Sequence, residues 1–124
     1  MEKKGLVGLL WLDDMRNPYQ GSWLYDYAPE YETNGAVHWV KDYDEFVRWI
    51  TENGMPDMIA FDHDLGIKDG EITKSGYDAA KWLVDYCLDN KLGMCKWAVQ
   101  SSNPAGADNI NGLLMNYVKY FEKN

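Results

Sequence analysis

The chain has 124 residues, the size of one domain built around a single core. Hydrophobic residues make up 46% and aromatics 15%, with six Trp and nine Tyr, which excludes a disordered chain. A formal net charge of −8 excludes long tracking along nucleic acid, which needs a basic face, but leaves room for a small phosphorylated ligand or a nucleic-acid end bridged by a metal.

The first apolar run, residues 6–12, stops at Asp13 and is too short for a signal peptide or a membrane span. The expectation is a cytoplasmic protein with no membrane partner. This run and three others, at 36–40, 58–61 and 97–100, are short and continuous rather than alternating. Such runs suit strands covered on both faces of a parallel sheet. Residues 16–35, rich in Tyr, Gly, Pro and Asn without a steady period, are expected as a long loop of the kind that often carries function.

Helical spacing follows at 43–53, where Tyr43, Phe46, Val47 and Ile50 recur at i, i+3, i+4 and i+7. Asp42 and Glu45 offer a variant capping box, and Gly54 with Pro56 a stop. A second helix is expected over 76–90, ending before Gly93, with a loop at 66–75 ahead of it. A third starts around Pro104 and Gly106 and carries Ile110, Leu113, Leu114, Tyr117, Val118 and Phe121 on one stripe, which suits core packing. Strands alternating with helices predict a three-layer α/β fold over residues 1–124. Cys87 and Cys95 lack metal-ligand spacing and are expected as reduced, partly buried thiols.

Three of the four apolar runs end in polar residues: Asp13-Asp14, Asp62-His63-Asp64, and Ser101-Ser102-Asn103. In a parallel sheet, ligands bind beyond the carboxyl ends of the strands, so these tips converge if the sheet is parallel. Two carboxylates about 4 Å apart repel by roughly 4 kcal/mol at an effective dielectric near 20, so such a cluster binds protons or a cation. Oxygen donors with room for water and phosphate suit Mg²⁺ or Mn²⁺. The other reading is that the aspartates are separate caps and turn formers. If they do cluster, Asp13→Asn or Asp62→Asn should each raise metal-free stability.

His63 is either a general acid or base, or a hydrogen-bond partner behind the site. His38 is expected on a strand face. Ser101, Ser102 and Asn103 form either an anion cradle at a helix start or an ordinary capping turn. Arg16 forks onto a phosphate or pairs with an aspartate.

The stretch PDMIAFD (56–62) resembles the receiver-domain pattern that ends in the phospho-acceptor aspartate, and Asp13-Asp14 resembles the receiver's metal-binding acidic pair. A narrower family fits better. WLDDMRNP (11–18), FDHDLG (61–66), SGYDAAKWL (75–83) and SSNPAGADNI (101–110) resemble the cyclic-phosphate-processing receiver-like domains of bacteria and phages.

The resemblance implies a receiver-like (flavodoxin-like) fold with a mainly parallel four-stranded sheet in order 2-1-3-4, without a fifth strand. It implies Mg²⁺ or Mn²⁺ on Asp13, Asp14 and Asp62. It further implies catalytic roles for Asp62, His63, Asp64 and Ser101, and substrate binding by Arg16, Gln100, Ser102, Asn103 and Asn109. Gln100 stands where the family has a histidine, and a neutral amide hydrogen-bonds but does not shuttle protons. Three functions follow as alternatives: hydrolysis of a cyclic phosphate such as a cyclic nucleotide or 2′,3′-cyclic RNA end, binding without turnover, or a phospho-switch at Asp62. For binding, Tyr19, Trp23, Tyr25 and Tyr27 either stack a base or pin their loop to the core.

Overall fold

A computed structural model describes residues 8–32, 36–68, 71–72 and 74–123. Four strands, β1 (Leu9–Leu12), β2 (Val37–Val40), β3 (Met58–Phe61) and β4 (Lys96–Val99), form one parallel sheet in the order β2-β1-β3-β4. This is the expected 2-1-3-4 order of a receiver-like α/β fold. The central strands β1 and β3 are buried along their whole length, which is why their sequences run apolar without alternating.

The two faces are covered differently. Leu10, Leu12, Val40, Ile59 and Phe61 pack under three helices: α1 (Tyr43–Asn53), α2 (Gly76–Asn90) and α3 (Pro104–Lys123). These supply Phe46 and Ile50, then Ala79, Ala80, Leu83 and Cys87, then Ile110, Leu114 and Tyr117. Leu9, Trp11, Met58 and Ala60 face the other way, onto a smaller cluster with Leu24 and Ala28. The expected loop at 16–35 is therefore the cover of the second face. It contains a five-residue helix at Trp23–Tyr27 and a 3-10 turn at Pro29–Tyr31, both too short to show a period. Its residues 33–35 lie outside the described residues.

Polar anchors fix that cover. Trp11 Nε1 donates to Arg16 O (2.9 Å), Trp39 Nε1 to Asp13 O (2.7 Å) and Tyr19 Oη to Val37 O (2.9 Å). Trp23 and Tyr27 pack against the small cluster, while Tyr19 and Tyr25 are exposed. The second expected loop also differs, because Ile67–Lys68 and Glu71–Ile72 pair as a two-stranded antiparallel ribbon.

Helix ends follow their sequence signals in part. Asp42 accepts from Glu45 N (2.8 Å), but the Glu45 carboxylate bonds Lys41 N (2.8 Å). A reciprocal capping box stands instead at Ser75 and Asp78. Gly54 closes α1 at φ 89°, whereas Lys91, in the left-handed region at φ 58°, closes α2 before Gly93 is reached. His38 packs over Trp49, with ring centroids 5.0 Å apart. Cys87 and Cys95 are free, and burial pushes their thiols up to about 11 and about 12. Among the described residues, no helix is long and apolar enough to cross a membrane.

Candidate functional site

Strand register builds the site. Leu12, Phe61 and Val99 lie side by side as the last paired residues of β1, β3 and β4. One further backbone bond extends each ladder, from Asp13 N to Val40 O (3.1 Å), Asp62 N to Leu12 O (2.9 Å) and Gln100 N to Phe61 O (2.9 Å). Asp13, Asp62 and Gln100 are thereby held level across three strand tips. Strand alternation carries all three toward the face of Trp11, Ala60 and Ala98, the face covered by the segment that follows Arg16.

Asp13 is fully buried and saturated with donors. Its Oδ1 accepts the backbone N–H groups of Met15 (2.9 Å) and Arg16 (2.8 Å), which explains how the chain turns here. Its Oδ2 accepts Arg16 Nη1 (3.1 Å) and Gln100 Nε2 (3.4 Å). The same Arg16 nitrogen lies 3.4 Å from Asp62 Oδ1, and the guanidinium stacks 5.0 Å from the Trp23 ring.

Asp62 is only 5% exposed, and burial, then the neighbouring Asp13, pushes its carboxyl up to about 7 against the pull of Arg16. Burial raises Asp14 too, partly offset by its backbone hydrogen bond. The Asp14 and Asp62 carboxyl groups lie close enough for each to perturb the other.

Asp13, Asp14 and Asp62 form a group able to hold a metal ion, with one oxygen from each lying within 4.8 Å of the others. The all-oxygen donor set fits a hard divalent cation. Gly66 supports the fit. At φ 81° it takes a backbone conformation that other residues avoid, and a Cβ there would stand 2.7 Å from Asp14 Oδ2, inside the space this carboxylate uses.

A pocket of about 400 Å³ opens over the cluster, lined by Asp14, Met15, Arg16, Asp62, Asp64, Gly66 and Ser102. Asp64 is exposed at its rim. It pairs with His63 Nδ1 (2.9 Å) and accepts from Asn103 Nδ2 (3.4 Å). The bond from His63 holds the Asp64 carboxyl below its ordinary range. The His63 ring rests on Gly106 at the start of α3.

Asn103 caps that helix, its Oδ1 accepting from Gly106 N (3.0 Å), while Ser101 Oγ accepts from Asn103 N (3.0 Å). The Ser-Ser-Asn turn is thus a capping turn that also presents Ser102 to the pocket. Gln100 is 1% exposed and donates to Leu12 O (3.1 Å) as well, and its Oε1 is buried with no hydrogen-bond partner among the described residues. Asn109 is exposed on α3, and no hydrogen bond ties it to the cluster among the described residues. Sequence reasoning passed over two pocket residues. Gly66 closes the quoted motif FDHDLG, whereas Met15 gave no signal beyond standing next to the acidic pair.

A family model described as the cyclic-phosphate processing Receiver domain matches residues 9–116. No curated protein and no solved structure matches the chain. The match spans most of the 124 residues and covers every residue of the site just described, and the chain belongs to this family of cyclic-phosphate processing receiver domains.

Proposed function

We propose that the chain hydrolyses a cyclic phosphate ester, such as a 2′,3′-cyclic nucleotide or the cyclic end of an RNA, with Mg²⁺ or Mn²⁺ held by Asp13, Asp14 and Asp62. The observation that carries this reading is the meeting of three carboxylates with Arg16 and Ser102 around one open pocket. When bound, the metal supplies Lewis-acid stabilisation of charge developing on a phosphoryl oxygen. The two free cysteines suit a reducing, cytoplasmic setting.

The chain's own residues divide the remaining work. Arg16 and the Ser102 hydroxyl bind phosphoryl oxygens, and Asn103 keeps the turn in place. Asp64, ionised and facing the pocket, orients a water and takes its proton as the water oxygen attacks phosphorus. His63, bonded to Asp64 through Nδ1, keeps that carboxylate oriented, and Asp64 returns the proton to the ester oxygen that leaves the ring. The product is a phosphate monoester beside a free hydroxyl.

Incubating the protein with 2′,3′-cyclic nucleotides and cyclic-ended RNA, with Mg²⁺, Mn²⁺ or a chelator, tests this by ³¹P NMR. Metal-dependent conversion to the monoester, lost in Asp62→Asn, is the expected result. Binding with no conversion under any condition would overturn it.

One observation favours binding without turnover as the second reading. Gln100, in the family's histidine position, is a buried amide that supports Asp13 and transfers no proton near neutrality.

A further inference from the structure

Arg16 stands on two of the carboxylates that could hold a metal. Its Nη1 lies 3.1 Å from Asp13 Oδ2 and 3.4 Å from Asp62 Oδ1, so a single nitrogen bridges two of the three clustered carboxylates. Asp13 has little capacity to spare. Two backbone N–H groups take its Oδ1, and Arg16 and Gln100 share its Oδ2. A carboxylate oxygen accepts along about two lone-pair directions, so a cation arriving at Oδ2 must displace one of these donors. Gln100 is buried and also tied to Leu12 O, whereas the Arg16 side chain is 23% exposed and lines the pocket. Arg16 is the donor that can leave.

We propose that Arg16 is a tethered counter-ion that competes with the divalent metal for Asp13 and Asp62, and that a phosphate ligand draws the guanidinium away, so that metal and phosphate bind cooperatively. This rests on the metal-dependent reading above. A guanidinium and a divalent cation on the same two carboxylates repel each other at close range. A phosphate monoester anion in the same pocket offers the guanidinium a bidentate partner a short swing away. Linkage makes the effect reciprocal, so whatever factor phosphate adds to metal affinity, metal adds to phosphate affinity.

The test is Mn²⁺ binding by the full chain, followed by electron paramagnetic resonance, with and without methyl phosphate. Without anion, Arg16→Gln should bind Mn²⁺ on the order of tenfold more tightly than wild type, since one competing charge is gone. Methyl phosphate should tighten Mn²⁺ binding in wild type several-fold, and less in the variant. Equal or weaker Mn²⁺ binding by Arg16→Gln, with wild type binding normally, would remove the counter-ion role and leave the metal site standing. No Mn²⁺ binding by either protein would remove the metal reading and this inference together.

Because Arg16→Gln leaves two carboxylates facing each other and could impair folding, a second measurement uses the wild type alone. The Arg16 guanidinium proton resonances should shift and exchange faster as Mg²⁺ is titrated in. Saturating Mg²⁺ with those resonances unchanged would overturn the proposal.

Discussion

Gly76 presses against the backbone of Asp62: a Cβ on Gly76 would collide with the Asp62 carbonyl oxygen, and Gly76 N donates to His63 O at 2.7 Å. The start of α2 is thus seated directly on the strand tip that carries the acidic cluster. Ser75 and Asp78 cap the helix at the same place, so its first turn cannot drift to make room. Gly76→Ala should cost on the order of 2 kcal/mol or more, because backbone must move against backbone. It should also blunt the stabilisation expected from Mg²⁺ under the proposed metal-dependent reading, since Asp62 moves with its carbonyl. Urea unfolding with and without Mg²⁺ checks both, and a variant as stable and as Mg²⁺-responsive as wild type would refute the contact as a constraint.

Much of this was legible in the sequence, for a physical reason. Strands β1 and β3 are buried on both faces, so their residues run apolar until the chain reaches the polar tip, and the tip residues mark themselves. The helices at 43–53 and 76–90 carry enough turns for their spacing to show. The cover of the second sheet face did not announce itself. Leu24 buries there from a helix of five residues and Ala28 from the joint between it and a three-residue turn, which have no room for periodicity, and the segment is held by indole and phenol groups bonded to backbone. Gln100 was equally opaque. A residue one place beyond a strand can face the pocket or lie beneath it, and only the bond to Asp13 decides.

Neutralising the two aspartates should have opposite effects, although charge repulsion alone predicts the same gain for both. Asp62→Asn removes a carboxyl that burial disfavours in its charged form and should stabilise the metal-free protein at neutral pH. Asp13→Asn turns an amide NH₂ toward Arg16 and Gln100, which are both donors, and should destabilise by about 1–3 kcal/mol. Chemical denaturation in chelator separates them. A gain in stability in both would return the argument to simple repulsion.

The pH dependence follows from the raised Asp62 carboxyl. Near pH 4 and below, the group is protonated in the folded chain, and its contribution to stability is fully present. Between pH 4 and about 7 the unfolded chain has released this proton while the folded chain still holds it, so stability falls as pH rises. The loss is on the order of 2–4 kcal/mol and levels off above the folded value. The raised Asp14 acts in the same direction. In chelator, Asp62→Asn should lack most of this decline, matching wild type near pH 4 and exceeding it at pH 7. Parallel stability curves for the two proteins would show that Asp62 is not the group responsible.

Gln100 stands, by resemblance, where the family has a histidine, and its burial changes what a substitution there should do. If the family's histidine moves a proton, Gln100→His should raise turnover of a cyclic phosphate and add a pH dependence near neutrality, by up to about 10²–10⁴-fold. The geometry favours a supporting role instead. Gln100 Nε2 holds Leu12 O and Asp13 Oδ2 at 1% exposure, and Gln100 is not among the residues that line the pocket. The expected result is that Gln100→His changes turnover little. Gln100→Met, which fills similar space without a donor, should weaken Mn²⁺ binding and cost about 1–3 kcal/mol of stability by leaving two buried acceptors short of a partner. His63→Ala supplies the contrast. It removes the partner of Asp64 at the pocket rim, and should lower turnover while sparing metal affinity. A large, pH-dependent gain in Gln100→His would assign the proton transfer to this position and make the present chain an impaired member of its family. Unchanged Mn²⁺ affinity in Gln100→Met would remove the supporting role.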